Sequence, residues 1–376
     1  MKILLVFHPT PFCNLDCTYC WAPDRNDQSK MPLPIVEQTL KNVYRNPNVE
    51  QVDFCWLTGE PLVMGLDYYK SVISLCNELK PKNMTTSFSL QTNGTLINDE
   101  WANFFKENDF VIGVSVDGPK PLHDKQRANK TGKSTFDNTI RGIDILIKHE
   151  VKGGALCVIT KNTLELSADE LFFFFHERKI SWSYLIEARI GENACSENSL
   201  SSTDKPRLRN YLNRLMELWS NYPHSFIKDF DFLSKKLFGM SDYEVDYNNL
   251  GCLDILNVTA EGDFYWGNPE LMTAIKNELS YLKANIQTTD LFEFRQTPTF
   301  KKFKTETFNG IEKCKNECEY FIGCRGGNPS HKYYHHKRFD VTSHLTCELN
   351  DKVITELLLS RIENVFESQS KIETVN

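Results

Sequence analysis

Strand and helix signals alternate through the first 186 residues of the chain. Short apolar runs typical of buried strands occur at 2–7, 52–57, 85–90, 110–116, 155–159 and 182–186. Between them, apolar side chains recur at helical spacing, as at Val36, Leu40 and Val43. Strands that alternate with helices pair in parallel and are joined by right-handed crossovers. The alternation therefore predicts an α/β fold built on a six-stranded parallel sheet.

The number of strand–helix units limits how far this sheet can close. A complete eight-stranded barrel takes roughly 250 residues, whereas the alternation here ends near residue 186. We therefore expect an open, partial (β/α)6 TIM barrel. Functional loops in such barrels follow the carboxyl ends of the strands. Three motifs fall there: the loop 13–20, Gly59-Glu60-Pro61 and Asp117-Gly118-Pro119.

The rest of the chain has a different pattern. Residues 191–204 are polar, 206–239 are helical and rich in aromatic residues, and 254–266 have the pattern of a hairpin. A closing helix is expected over 349–366. The histidine-rich run 333–338 is expected at an exposed hairpin tip rather than as a metal-binding tract.

These changes of pattern divide the chain into three predicted parts. The first is the partial barrel, at 1–200. The second is a helical bridge, at 201–250. The third is a small cysteine-rich domain with a C-terminal helix, at 251–376.

Composition narrows the class of protein. The chain has 376 residues, 40% of them hydrophobic and 25% charged, with a net charge of −7, which disfavours nucleic-acid binding. No segment approaches the roughly 20 apolar residues of a membrane span. The apolar start, Met1 to Phe7, is followed by His8 and Pro9 instead of the rest of a secretory signal. We expect a cytoplasmic protein with no nucleic-acid or membrane partner.

The chain has twelve cysteines. In a reducing cytosol, the compartment expected for this protein, cysteines do not persist as disulfides. Clustered thiols in that compartment indicate a metal or redox role. One cluster is Cys13, Cys17 and Cys20, and the other is Cys314, Cys318 and Cys324, with Cys347 following. Four further cysteines are scattered and are expected to be small buried or incidental thiols: Cys55, Cys76, Cys157 and Cys195.

The first cluster has three thiols, one fewer than a four-iron cluster has irons. Four protein thiolates usually ligate such a cluster, so three ligands leave one iron open to a small molecule. The alternatives are three buried cysteines, or part of a zinc site with His8 as its fourth ligand.

This loop resembles that of the radical SAM superfamily, in its C-x3-C-x2-C spacing, in Tyr19 before the last cysteine, and in its place after the first strand. The resemblance implies a [4Fe-4S] cluster on Cys13, Cys17 and Cys20. It also implies that S-adenosylmethionine (SAM) binds the open iron and is cleaved reductively to a 5′-deoxyadenosyl radical. That radical removes a hydrogen atom from the substrate.

The resemblance extends to residues that bind SAM. Gly59-Glu60-Pro61 matches the motif that holds the SAM amino group, although Thr58 stands where glycine or alanine is more usual. Ser115 and Arg127 match positions that bind the SAM carboxylate and ribose. Tyr19 belongs to the same implied set of cofactor-binding residues.

The second cysteine group resembles the SPASM extension of peptide-modifying radical SAM enzymes. Cys314, Cys318, Cys324 and Cys347 would hold one auxiliary [4Fe-4S] cluster, with structural zinc as the alternative. Gly267 and Asn328 stand where two-cluster relatives have cysteines. The resemblance therefore implies a single auxiliary cluster and leaves Cys252 as a buried thiol without a cluster.

Two features indicate a narrower group. Anaerobic sulfatase maturases keep a cysteine–aspartate pair in the hairpin, where this chain has Gly267-Asn268. The segments 9–25, 56–62 and 318–332 instead resemble the cyclophane-forming peptide maturases, in which a β-carbon radical closes onto an aromatic ring. Leu57 and Arg325 depart from that group's pattern, in which histidine and glycine are expected.

The resulting hypothesis is an enzyme that installs a carbon–carbon cyclophane cross-link in a ribosomal precursor peptide. An external electron donor such as flavodoxin or ferredoxin is implied. Thioether formation, epimerisation or formylglycine formation are the enzymatic alternatives, and a non-catalytic zinc or iron–sulfur module is the remaining one. No catalytic residue is assigned. The general base has four chemically suitable candidates: His123, Asp117, Glu187 and His331.

Overall fold

The computed structural model describes residues 1–188, 197–238 and 253–373, with side chains up to residue 364. Nine strands run through these ranges: β1 (Lys2–His8), β2 (Gln51–Trp56), β3 (Thr85–Thr92), β4 (Phe110–Ser115), β5 (Lys152–Ile159), β6 (Trp182–Ile186), β7 (Ile255–Thr259), β8 (Asp263–Trp266) and β9 (Lys283–Asn285).

All nine strands form one sheet, in the order β6-β5-β4-β3-β2-β1-β7-β8-β9. Strands β1 to β6 are parallel neighbours, as the predicted partial barrel requires. Strand β7 adds to the other side of β1, also in parallel, with Leu4 opposite Ile255. Strands β8 and β9 then continue antiparallel. The α/β fold with its six-stranded parallel core is confirmed.

Helices connect the strands and cover the outer face of the sheet. In the first half these are α1 (Leu33–Tyr44), α2 (Leu66–Leu79), α3 (Asp99–Glu107), α4 (Lys120–Gln126), α5 (Phe136–Lys148), α6 (Lys161–Glu165) and α7 (Ala168–Glu177). In the second half they are α8 (Lys205–Asn221), α9 (Lys228–Leu237), α10 (Met272–Lys276), α11 (Leu291–Phe294), α12 (Pro298–Glu317), α13 (Phe321–Cys324), α14 (Pro329–His336) and α15 (Lys352–Glu373). A π-helical turn, Cys347–Asp351, precedes α15.

The two faces of the sheet differ in what they bury. Side chains on the outer face, such as Phe7, Phe54 and Trp56, are fully buried in the main hydrophobic core against the helices. The alternate positions Val6 and Ile255 form a small separate apolar cluster on the inner face. Because successive side chains of a strand point to opposite faces, the concave side of the barrel keeps room for a cavity.

The C-terminal third joins the barrel directly. The predicted hairpin at 254–266 is confirmed by the antiparallel pairing of β7 and β8. Its first strand, β7, also pairs with β1, so the sheet crosses the predicted domain boundary at residue 251 without a break. Of the predicted polar segment 191–204, residues 191–196 lie outside the described part of the chain, as do the predicted thiols Cys195 and Cys252.

One local prediction was wrong. Residues 333–336 of the histidine-rich run belong to α14 and do not form a hairpin tip. Asn328 caps this helix by accepting a hydrogen bond from Ser330 N, and Pro329 occupies its first turn. The cap and the proline are a helix-start signal that outweighs the polar composition of the run.

Among the residues that the structure describes, no helix is long and apolar enough to cross a membrane.

Candidate functional site

A cavity of about 810 Å³ lies at the carboxyl ends of the parallel strands. Cys13, Cys17 and Cys20 line it, and so does Cys324 from the second cysteine group. Helix α9 and the π-helical turn before α15 contribute further wall residues. One cavity therefore contacts both predicted cluster sites.

Backbone hydrogen bonds fix the first cysteine loop against the segment after α4. Asp16 N donates to Ala128 O at 2.9 Å, and Thr18 N donates to Gln126 O at 3.0 Å. Within the loop, Cys20 N donates to Cys17 O at 3.2 Å. These bonds bring the three thiols close enough for their charges to interact.

The environment of these thiols fits a metal cluster. Burial raises the pKa of Cys13 to about 12 and that of Cys17 to about 11, so both stay protonated unless a bound metal compensates their charge. N–H groups already point at the sulfurs: Leu15 N is 3.4 Å from Cys13 Sγ, and Arg127 Nη1 is 4.0 Å from Cys17 Sγ. Hydrogen bonds to sulfur are a feature of iron–sulfur sites.

All ten cysteines in the described ranges are free thiols. In the same ranges, no three or more His, Cys, Asp or Glu side chains form a group that could hold a metal ion. His8 does not face the cysteine loop as a fourth ligand, because both of its ring nitrogens are hydrogen-bonded, to Thr58 and Asn257. The cysteine thiols and the N–H groups near their sulfurs are therefore the evidence for a cluster at this site, and a formed coordination shell is not.

Tyr19, Asp117 and Arg127 form a buried polar group beside the cysteine loop. The Tyr19 hydroxyl donates to Asp117 Oδ2 at 2.6 Å, and Arg127 Nε lies 3.0 Å from the same oxygen. The Arg127 guanidinium also stacks 5.1 Å from the centre of the Tyr19 ring. The charge of Asp117 raises the pKa of Arg127 against its burial, so the side chain stays cationic next to Cys17. Tyr19 and Arg127 line the cavity, and their role in binding the cofactor stays a prediction.

The Gly59 loop packs directly on the segment that precedes the cysteine loop. Gly59 has φ +62°, and a Cβ atom there would lie 2.4 Å from Phe12 O and 2.5 Å from Thr10 O. Only glycine fits this approach. Thr58 next to it also has a positive φ, +77°. The close contact places the backbone of Gly59 in the cavity wall.

Glu60 lies beneath this wall, fully buried. Its carboxylate accepts hydrogen bonds from Thr92 Oγ1 at 2.7 Å, Asn93 N at 2.8 Å and Leu62 N at 3.0 Å. In the described structure, Glu60 and Pro61 support the loop, and Gly59 is the residue of the motif that faces the cavity. Their predicted contact with the SAM amino group stays a prediction.

Ser115 faces the cavity at the end of β4. Gln91 Nε2 from β3 donates to Ser115 Oγ at 2.8 Å. Gly113 makes room for this amide, because a Cβ atom there would lie 2.0 Å from Gln91 Oε1. Gln91 also lines the cavity. Sequence reasoning missed it, since only its register beside Gly113 reveals its role.

The second cysteine group collects four thiols from α12, α13 and the π-helical turn. Charge interactions link Cys314 with Cys318, and Cys324 with Cys347. Burial raises the pKa of Cys324 to about 11. The buried ammonium of Lys332 donates to Cys314 Sγ at 3.5 Å, a contact that favours the thiolate. The four predicted ligands thus lie in one region, within range of one another's charges, although no three of them are close enough to hold a metal ion in the described structure.

The four candidate bases occupy different places. Asp117 is occupied by the donors described above, and His123 lies outside the cavity wall, with Nε2 3.1 Å from Thr135 Oγ1. Glu187 and His331 line the cavity. Nε2 of His331 lies 3.0 Å from Glu270 Oε2.

Three charged residues of the cavity wall belong to no recognisable sequence motif: Asp229 and Lys236 on α9, and Asp351 before α15. Sequence reasoning missed them because each lies in an ordinary amphipathic segment. Only the packing of α9 and α15 over the barrel brings them to the cavity.

Comparisons with known proteins show what the sequence and the fold are similar to. The radical SAM superfamily model matches residues 7–166. An uncharacterized protein of Synechocystis sp. is 30% identical over 371 residues, covering 96% of this chain and 92% of that protein. The cysteine-type anaerobic sulfatase-maturating enzyme of Clostridium novyi is 30% identical over 325 residues, covering 84% of each. The solved structure of native anSMEcpe with bound AdoMet and Cp18Cys peptide superimposes with a TM-score of 0.79 at 26% identity, covering 98% of this chain and 99% of that one.

Proposed function

Because the chain belongs to the radical SAM superfamily, we propose that it closes a carbon–carbon cross-link within a ribosomally made precursor peptide. The bond joins an aromatic side chain to a nearby β-carbon. Radical SAM enzymes use a [4Fe-4S] cluster and SAM. Here Cys13, Cys17 and Cys20 would hold that cluster, which when bound supplies the electron that cleaves SAM.

The observation that carries the proposal is the shared cavity of about 810 Å³, which contacts both the three-cysteine loop and Cys324. A substrate in it would lie between the radical source and a second redox group held by Cys314, Cys318, Cys324 and Cys347. Cross-linking needs both, because it removes one hydrogen atom and then one further electron and proton. An external flavodoxin or ferredoxin would supply the first electron.

The residues proposed to contact SAM are Tyr19, Gly59, Glu60, Pro61, Ser115 and Arg127. Arg127 and Ser115 offer a cation and a hydroxyl to the carboxylate and ribose of SAM. Tyr19 keeps Arg127 in place through their shared partner Asp117. Pro61 and Glu60 would act by holding the backbone at Gly59.

Formylglycine formation is the second candidate, and the similarity to proteins named as sulfatase-maturating enzymes favours it. The hairpin weakens this candidate. Asn268 lines the cavity there, and its amide caps the turn at Glu270 N at 3.0 Å. An amide cannot take a proton from a substrate, so this position does not supply the base that oxidation of a Ser or Cys side chain requires.

Mass spectrometry of a precursor peptide co-expressed with the enzyme tests the proposal. We expect a product that has lost two hydrogens, with fragments that tie an aromatic residue to a neighbouring β-carbon and no reaction with a hydrazide probe. Formylglycine from serine loses the same mass but reacts with the hydrazide, and formylglycine from cysteine also loses sulfur. An unchanged mass with inverted chirality would likewise exclude the cross-link.

A further inference from the structure

Asp229 stands at the start of α9, in the cavity wall contributed by that helix. Its Oδ2 atom accepts a hydrogen bond from Tyr184 N at 3.0 Å and another from Ser183 Oγ at 2.9 Å. Both donors belong to β6, the edge strand of the sheet. They fix the orientation of the carboxylate at the carboxyl end of the barrel.

Most other titratable groups of the described wall are occupied. Burial raises the pKa of Asp351 to about 6, and its carboxylate accepts a hydrogen bond from Asn350 Nδ2 at 3.4 Å. The carboxylate of Glu270 binds Asn328 Nδ2 at 3.2 Å and Ser330 Oγ at 2.9 Å, as well as the ring of His331. His335 accepts a hydrogen bond from Leu345 N through Nδ1 at 3.0 Å. These groups hold the C-terminal region together.

The phenols and the cations of the wall are unsuited to accepting a proton at neutral pH. Burial raises the pKa of Tyr19 and that of Tyr184 well above the ordinary value, so both remain protonated. Arg127 and Lys236 are cations. Glu187 lines the cavity and accepts a hydrogen bond from Ser199 Oγ at 3.2 Å.

The electrostatic surroundings of Asp229 suit proton transfer. Burial raises its pKa to about 6, against the donors from β6 and the charge of Lys228. Tyr184 on β6, Cys157 on β5 and Asp351 before α15 each interact with its charge. A carboxylate of this kind is ionised at neutral pH and can still take up a proton.

We propose that Asp229 accepts the proton that the substrate releases in this cavity. This role rests on the proposed function, because cross-linking requires a base and no residue has been assigned to it above. A hydrogen atom leaves the β-carbon to the 5′-deoxyadenosyl radical, and the new bond forms between the β-carbon and the ring. The ring carbon then loses its proton to Asp229 and one electron to an oxidised iron–sulfur cluster, which restores the aromatic ring.

The Asp229→Asn variant tests the role, because an amide oxygen can still accept from Tyr184 N and Ser183 Oγ but cannot take a proton. We expect cross-linked product to fall about 100-fold, a typical loss for a general base, while 5′-deoxyadenosine still forms. Asp231→Asn on the same helix is the matched control. Asp231 lies outside the cavity wall and binds Trp219 Nε1 at 3.1 Å, so its variant should keep the wild-type ratio of product to 5′-deoxyadenosine.

The pH profile of the wild-type enzyme is an independent readout. Product formation should rise with pH through about 6, the value to which burial raises the pKa of Asp229, and this rise should be absent from the residual activity of Asp229→Asn. A wild-type ratio of product to 5′-deoxyadenosine in Asp229→Asn would overturn the proposal. A wild-type profile that is flat from pH 5 to 7.5 would also overturn it, and this holds even if the variant does not fold.

Failure of the proposed cross-linking function and failure of the proposed role of Asp229 give different results. The chemical nature of the wild-type product decides whether the enzyme cross-links its substrate. The ratio of product to 5′-deoxyadenosine in the variants decides whether Asp229 takes the proton, whatever that product is.

Discussion

The ring of His8 links the Gly59 loop to the C-terminal hairpin, because its Nδ1 atom accepts a hydrogen bond from the Thr58 hydroxyl at 2.8 Å. The other ring nitrogen, Nε2, lies 3.0 Å from Asn257 Oδ1. Asn257 Nδ2 donates to Gly267 O at 2.8 Å, so its Oδ1 must be the acceptor and His8 carries its proton on Nε2. One buried chain of hydrogen bonds thus joins β1, the Gly59 loop and the position where two-cluster relatives have a cysteine.

Replacing Thr58 with valine should loosen this link. The valine has nearly the shape of threonine but leaves His8 Nδ1 buried without a donor, which costs about 1–3 kcal/mol. We expect a lower Tm and weaker SAM binding, measured anaerobically by thermal scanning and by equilibrium titration. Thr58→Ser keeps the hydroxyl and should retain wild-type SAM affinity. Equal SAM affinity in the valine and serine variants would contradict the role of the link.

His8 should also make the protein sensitive to acid. Burial lowers its pKa from 6.5 to about 4, so the folded state keeps it neutral while the unfolded chain takes up a proton below pH 6.5. Its contribution to stability is present above pH 6.5 and is lost as the pH falls to about 4, a change of about 3 kcal/mol. His8→Gln should therefore have a flatter stability profile over that range in chemical unfolding. The exposed His224→Asn should keep the wild-type slope, and a wild-type slope in His8→Gln would refute the assignment.

Iron content separates the two cysteine groups. Two cubanes predict about eight irons per chain after anaerobic purification. Cys13→Ala with Cys17→Ala should remove about four of them and all cleavage of SAM. Cys318→Ala with Cys324→Ala should also remove about four but leave SAM cleavage in place without cross-linked product.

Cys76→Ala is the control for these variants, because Cys76 is a buried thiol of the hydrophobic core and should not affect iron content. A wild-type content of about four irons per chain would show that no auxiliary cluster is bound, and about twelve would show that a second auxiliary cluster is bound. Zinc bound by the C-terminal cysteines would show that these cysteines form a structural zinc site and not an iron–sulfur cluster site.

The Asp117 carboxylate should be needed for the first cluster even though it does not touch it. Asp117→Asn leaves the Arg127 guanidinium buried without its counter-ion, and such a loss costs about 3–5 kcal/mol. It also removes an acceptor from the Tyr19 hydroxyl, which binds Asp117 Oδ2 at 2.6 Å. We expect a lower Tm and loss of the SAM-dependent change in the cluster's electron paramagnetic resonance spectrum. Asp124 is half-buried, and its Oδ1 accepts hydrogen bonds from Thr135 N and Phe136 N, which an amide oxygen can also accept. Asp124→Asn should therefore preserve that spectral change, and an unaltered spectrum in Asp117→Asn would count against the proposed arrangement.

The elements that could be predicted from the sequence are those with a local period or a local motif. The strands up to Ile186 and the helix Asp99–Glu107 were found because their apolar spacing is set by the geometry of a single element. The cysteines and Gly59, whose ligand and SAM-binding roles stay predictions, could be named because their chemistry requires a fixed spacing or a missing side chain. Both kinds of information lie within a few neighbouring residues.

What was missed depends on residues far apart in the chain. The role of His8 needs Asn257, and Asp229 reaches the cavity only because β6 holds the start of α9. The addition of β7 beside β1 was missed for the same reason, since a hairpin pattern does not say which edge it joins. Helix α14 was missed because the polar composition of residues 333–338 was given more weight than the asparagine cap and the proline that precede them.

The pairing of β1 with β7 has a consequence for how the protein is made. β1 ends at His8, but its partner on that side begins only at Ile255. At a synthesis rate of about 5–20 residues per second, this edge waits roughly 12 to 50 seconds on the ribosome. During that time the unpaired backbone of β1 is open to other strands, and the three cysteines that follow it are already outside the exit tunnel. Until β7 is made, the same short stretch of nascent chain therefore carries both an unpaired strand edge and three cysteine thiols.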